Sequence, residues 1–137
     1  MAGSNGFRGF GTMTIYAADH KAAIDWYTKV FGIEPYYNKP GYSEFRIGDY
    51  QNEIGIIDAQ YAPPGAAGKP AGAITSWHVD DLSGTLERLL SLGATEYQPI
   101  IERGEGFVTA AVVDPFGNIL GIMTNPHYLE ILGENGN

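Results

Sequence analysis

The chain contains no cysteine, which excludes disulfides, thiolate metal ligands and cysteine nucleophiles and is compatible with a reducing cytoplasm. Positive charge is scarce too: eight Lys and Arg stand against sixteen Asp and Glu. That balance repels phosphate backbones and anionic headgroups, so neither nucleic acid nor a membrane surface is an expected partner. No apolar run approaches the roughly 20 residues that span a bilayer. The opening stretch MAGSNGFRGFG has a single Arg and no apolar core, and reads as a loose lead-in rather than a secretory signal. Also missing are the G-x-S-x-G nucleophile elbow, a phosphate-cradling glycine loop and a dinucleotide fingerprint ahead of a helix.

What is present is a chain of 137 residues, 44% hydrophobic and 12% aromatic, enough to bury a core in one domain. Residues 11–19 have the β-branched and aromatic content of a strand. Asp19 then caps a helix over HKAAIDWYTKVF that ends at Gly32, with Ala23, Trp26, Tyr27, Val30 and Phe31 as its apolar stripe. A short strand near 34–38 precedes a hairpin, YSEFRIG and NEIGIID around GDYQN. Residues 61–73 are too dense in Pro and Gly for an element and read as a linker.

Beyond it the pattern repeats. ITSWHVDD is a strand, and LSGTLERLLSL a helix with Leu82, Leu86, Leu89 and Leu90 on one face. A short strand near EYQPII, a strand FVTAAVVD, the turn DPFGN and a strand ILGIMTN follow. The tail from Pro126 carries a brief helix around HYLEIL. Asp19 to Gly32 and Asp80 to Gly93 are the same distance apart, each bracketing a helix between cap and stop. NEIGII at 52–57 returns as NILGIM at 118–123, with Gly121 matching Gly55. A glycine inside a strand weakens it, so a weakened strand written twice asks for a reason. The organisation expected is a lead-in (1–10), a βαβββ module (11–60), a linker (61–73), a second βαβββ module (74–125) and a tail (126–137), with one structural domain in all.

A tandem pair of this kind, with AAIDWYTKVFGIEP in the first helix and DPFGN in the last hairpin, resembles the vicinal oxygen chelate superfamily of glyoxalase I, bleomycin-resistance proteins and extradiol dioxygenases. The resemblance implies an α+β fold whose two modules curl their sheets around a barrel-like cavity, and a homodimer. In metal-binding members one ligand comes from the first strand and one from the last strand of each module. Here those places fall on Thr12, Gly55, Ile74 and Gly121, none of which carries the imidazole or carboxylate donor such a cation needs. No metal and no cofactor is therefore expected. A repeated glycine then either empties the old metal face for a ligand or eases strand curvature.

Strand alternation, anchored on those places, turns Thr14, Tyr16, Glu53, Gly55 and Ile57 toward the cavity in the first module, and Ser76, His78, Gly121 and Met123 in the second. The same parity turns Gln51 inward and sends Trp77 and Val79 to the helix side; for the middle strands it leaves Phe45 open against Glu44 and Arg46. Tyr16, Tyr36, Tyr37 and Tyr42 either line an apolar pocket with polar tips or simply pack. His78, Glu53 and Tyr16 are the candidates for acid–base chemistry, against the plainer roles of a hydrogen-bonded histidine and a solvated carboxylate. His20 and His127 are expected to be exposed. The function read from this is a cytoplasmic, metal-free protein that binds a small aromatic or cationic molecule. The alternative is a metal-independent lyase or isomerase using His78 with Glu53 or Tyr16.

Overall fold

In a computed structural model that describes residues 5–133, the chain divides into two compact units, 1–68 and 69–137. The ends of the expected lead-in and tail, 1–4 and 134–137, lie outside the described residues. Each unit is a βαβββ module with an open, four-stranded sheet of its own, which makes the fold α+β.

The first module runs β1 (Thr12–Ala17), α1 (His20–Phe31), β2 (Tyr37–Lys39), β3 (Tyr42–Ile47) and β4 (Asn52–Asp58). Its sheet order is β1-β4-β3-β2, with β1 parallel to β4 and the other pairs antiparallel. A parallel partner needs a crossover, and α1 supplies it. The Asp19 side chain accepts from the Ala22 N–H, and Gly32 closes the helix with a left-handed backbone (φ 72°) that disfavours a side chain. Ala23, Ile24, Trp26 and Tyr27 are buried, so the stripe includes Ile24, while Val30 and Phe31 are half-buried. Tyr27, Phe31 and Phe45 form a ring-to-ring chain, with centroids 5.4 and 5.6 Å apart, that joins the helix to β3. Ile54 and Ile56 of β4 complete this core.

The second module runs β5 (Ser76–His78), α2 (Leu82–Ser91), β6 (Thr95–Gly104), β7 (Phe107–Val113) and β8 (Ile119–Thr124), in sheet order β5-β8-β7-β6. Leu82, Leu86 and Leu89 are buried with Ala110, Val112, Leu120 and Ile122, whereas Leu90 is exposed. The cap of α2 is Asp81, not Asp80: its carboxylate accepts from Gly84 N–H at 3.0 Å, while the Asp80 side chain is 98% exposed. Trp77 and Val79 are half-buried rather than fully in the core. The strand expected near 96–101 is ten residues long and irregular in register between Gln98 and Ile101. Pro99, which cannot donate to a ladder, is tolerated there because β6 is the sheet edge.

The DPFGN turn is held by buried Asp114, whose Oδ1 accepts from Phe116 N–H (2.8 Å) and Asn118 N–H (2.9 Å). A third helix, α3 (Pro126–Leu132), is capped by Asn125. No helix among the described residues is long and apolar enough to cross a membrane.

Candidate functional site

The register of the first sheet decides which side chains share a face. Thr12, Thr14 and Tyr16 stand beside Glu53, Gly55 and Ile57, and these in turn beside Arg46, Glu44 and Tyr42; Tyr37 follows beside Glu44. Gln51 is not part of this face: it sits in the β3–β4 turn with φ 54°, ahead of the first residue of β4. The parity left open by the sequence is thus resolved. Tyr42, Glu44 and Arg46 share the Gly55 face, and Ser43 and Phe45 turn to the helix side, where both are fully buried.

On this face the acidic and aromatic residues form one cluster. The hydroxyls of Tyr36 and Tyr42 each donate to a different oxygen of Glu44. The Tyr36 hydroxyl also lies 3.3 Å from Glu53 Oε2, which pairs with Arg46 Nε at 3.0 Å. The Arg46 guanidinium sits over the Tyr36 ring, 3.9 Å from its centroid, a cation–π position. The hydrogen bond to Glu44 raises the Tyr36 phenol above its ordinary value, with desolvation and the Glu44 and Glu53 charges adding and Arg46 opposing. Tyr37 and Tyr42 meet edge to face at 5.9 Å. Among the described residues no Lys or Arg pairs with Glu44, while Arg46 is engaged by Glu53 and the Lys39 ammonium lies 5.7 Å from the centroid of the Tyr37 ring. Tyr36 and Tyr37 are exposed and Tyr42 is half-buried, so the rings do not form a closed pocket within this unit. Their partners in Glu44 were not legible in the sequence, because the Y-S-E-F-R-I segment carries an aromatic residue on either parity.

In the second module Ser76, Gly121 and Ala111 stand in one row, and His78, Met123 and Thr109 in the next. His78 is held rather than presented. Its Nδ1 accepts from the Asn125 N–H at 3.1 Å, which leaves the proton of a neutral ring on Nε2. The ring stacks on Tyr128 of α3 at 4.7 Å, and the side chain is only 8% exposed. Nε2 stands 4.0 Å from Asp80 Oδ1. While the backbone contact lasts, neither nitrogen offers a lone pair to a substrate, which weighs against His78 as a general base. Glu53 lies in the first unit and His78 in the second, and each has partners of its own.

His127 is exposed, as expected, but His20 is not: its Nε2 contacts the Ile56 carbonyl (3.1 Å) and the Ser43 hydroxyl (3.3 Å). The first position of a helix predicts exposure only when no sheet lies beneath it. Here the central strands β3 and β4 do.

The positions to which the family resemblance carries the metal ligands are Thr12, Gly55, Ile74 and Gly121. Neither glycine has a side-chain donor, Thr12 Oγ1 lies on the Glu53 carbonyl at 3.3 Å, and Ile74 is apolar. Among the described residues no group of three or more His, Cys, Asp or Glu side chains is arranged to hold a metal ion. This donor set does not fit a catalytic divalent cation.

Comparison with known proteins adds the wider context. Residues 9–122 match the family model described as Glyoxalase/Bleomycin resistance protein/Dioxygenase superfamily. No curated protein matches the chain. Among solved structures, a glyoxalase-related enzyme from Fulvimarina pelagi aligns with TM-score 0.71 at 20% identity, covering 88% of this chain and 90% of that one. A lactoylglutathione lyase from Agrobacterium tumefaciens aligns at 0.67 and 21% identity, covering 88% and 96%. A glyoxalase/bleomycin resistance protein from Catenulispora acidiphila aligns at 0.62 and 20%, covering 86% and 100%. At these identities the likeness is one of fold.

Proposed function

The chain belongs to the Glyoxalase/Bleomycin resistance protein/Dioxygenase superfamily, and from that premise we propose that it is a metal-free member that binds a small aromatic cation on the exposed face of its first sheet. The carrying observation is Glu44: the Tyr36 and Tyr42 hydroxyls orient its carboxylate among the rings of Tyr36, Tyr37 and Tyr42, and among the described residues no Lys or Arg pairs with it, Arg46 being bonded to Glu53 and Lys39 lying over the Tyr37 ring. Arg46 itself rehearses the binding mode, its planar cation stacked on one ring and bonded to one carboxylate. A ligand with a flat ring and one positive charge finds Glu44 still without a cationic partner, and its carboxylate already oriented by two phenols. Thr14, Tyr16, Gly55 and Ile57 continue the same face. Ser76, Gly121, Met123 and His78 form the corresponding rows of the second module, and the active species is a homodimer, as the superfamily resemblance implies.

The test is a calorimetric titration with 9-aminoacridinium and its uncharged analogue acridine, on protein whose mass is read by light scattering. Binding of the cation, at least tenfold tighter than of the neutral ring, is the expected result, with Glu44→Gln removing that preference. A dimer mass is expected in the same sample. Equal affinity for both compounds, or none for a broad set of aromatic cations, overturns the reading.

A further inference from the structure

Glu44 is partnered by two phenols and, among the described residues, by no Lys or Arg. Its Oε1 accepts from Tyr36 and its Oε2 from Tyr42. On the basis that this face binds an aromatic cation as proposed, we infer that the ligand is an aryl amidinium or guanidinium. Such a cation meets the Glu44 carboxylate with two parallel N–H donors.

An ionised carboxylate carries about four lone-pair sites, two on each oxygen. With one phenol on each oxygen, one site per oxygen is left, and the sheet decides which. Tyr42 stands at the Ile57 end of the face, and its ring lies against Gly55, 3.7 Å from where a Cβ would be. The Tyr36 hydroxyl reaches the other end, 3.3 Å from Glu53 Oε2. Donors on opposite flanks take the outer lone pair of each oxygen. The two inner pairs, which run side by side, remain. Two hydroxyls also fix the plane of the carboxylate, and the Tyr36 N–H, bonded to the Glu44 carbonyl at 3.0 Å, ties Tyr36 to the same strand.

A fork of two N–H groups fills both inner pairs at once, whereas an ammonium, a compact point charge, has no such match. The cations already on this face leave Glu44 to the ligand. Arg46, whose own fork would fit, is bonded through Nε to Glu53 and lies over the Tyr36 ring. The Lys39 ammonium is 5.7 Å from the Tyr37 centroid, near the limit of the cation–π range. Tyr37 stands beside Glu44 in the register and is exposed. The ring of the ligand therefore packs on Tyr37 in place of Lys39 while its fork meets the carboxylate. The Tyr36–Glu44 hydrogen bond is itself exposed, so solvent-borne ligand reaches it directly.

The test is a set of ¹⁵N–¹H correlation titrations of the whole chain at neutral pH, up to about 10 mM ligand, a range that reaches millimolar dissociation constants. The probes are benzamidine, N,N-dimethylbenzamidine and benzylamine, all cations at that pH. The second keeps the delocalised charge but loses one prong of the fork, and the third replaces the fork by an ammonium. Saturable shifts in the backbone of Tyr36, Tyr37, Glu44 and Gly55 are expected. Benzamidine should bind about tenfold tighter than either control, the size of one further charge-assisted hydrogen bond. Glu44→Gln should remove that difference, and its own spectrum reports whether it is folded; should it unfold, the ratio in the unaltered chain decides alone. Equal affinity for all three, or a ratio that survives Glu44→Gln, overturns the fork and leaves cation binding in place. Binding of none of the three overturns it as well, and the acridine comparison then decides whether the broader reading falls with it.

Discussion

Gly55 and Gly121 occupy matching places in matching strands, yet their surroundings differ. A Cβ on Gly121 would stand 2.5 Å from Ser76 Oγ, 2.9 Å from Ile74 Cγ2 and 3.0 Å from the Thr75 carbonyl. That carbonyl is fixed, because it accepts the Gly121 N–H at 2.9 Å. A Cβ on Gly55 would meet the Tyr42 ring at 3.7 Å, its hydroxyl at 3.8 Å and the Met13 carbonyl at 4.0 Å, all ordinary contacts. The repeated glycine thus has a separate cause in each module. In the second, parallel β5 and its lead-in crowd β8, and in the first, a tyrosine lies over the strand. Gly121→Ala should destabilise the chain by about 1–3 kcal/mol through overpacking. Gly55→Ala should be neutral or stabilise by up to about 1 kcal/mol, by restricting the unfolded chain. Urea denaturation of the two variants checks both signs, and equal losses would refute the distinction.

At the scale of elements, the caps are the cleanest place to read sequence against structure. Two aspartates in succession, Asp80 and Asp81, precede α2, and the equal spacing of the repeat points to Asp80. The geometry chooses Asp81, whose oxygen reaches the Gly84 N–H and whose carbonyl takes the Thr85 N–H at 2.9 Å. Replacing Asp81 by Ala should cost about 1 kcal/mol, and replacing exposed Asp80 within about 0.5 kcal/mol of nothing; thermal melts of the pair separate them. The two-module plan, both helices and the last hairpin were legible because apolar period, caps and breakers agree over long stretches. The parity of β3 was not, since Ser43 is buried where alternation leads one to expect an apolar residue. Its burial is explained by a partner 23 residues away, His20. No local pattern in YSEFRI shows that partner. The same blindness placed His20 in solvent.

For the molecule as a whole the sharpest expectation concerns metal. Binding an ion in the folded state stabilises it by mass action, by several kcal/mol when the ion is far above its dissociation constant. Stripping it would then lower the melting temperature. The histidines are committed elsewhere: His20 Nε2 to Ile56 and Ser43, His78 Nδ1 to the Asn125 amide, with His127 on the surface of α3. Glu44 and Glu53 are engaged by phenols and by Arg46, and a divalent ion there would have to displace the guanidinium and both hydroxyls. Such an ion would also find oxygen ligands from only two side chains, too few for tight binding of the metals that activate water or carbonyls. Purified protein should therefore contain well under one equivalent of Zn, Ni, Mn or Fe, and an excess of chelator should leave its melting temperature unchanged. Elemental analysis near one metal per chain, lost together with several degrees of stability on chelation, would mean that the site draws ligands from outside both clusters and that the metal-free reading is wrong.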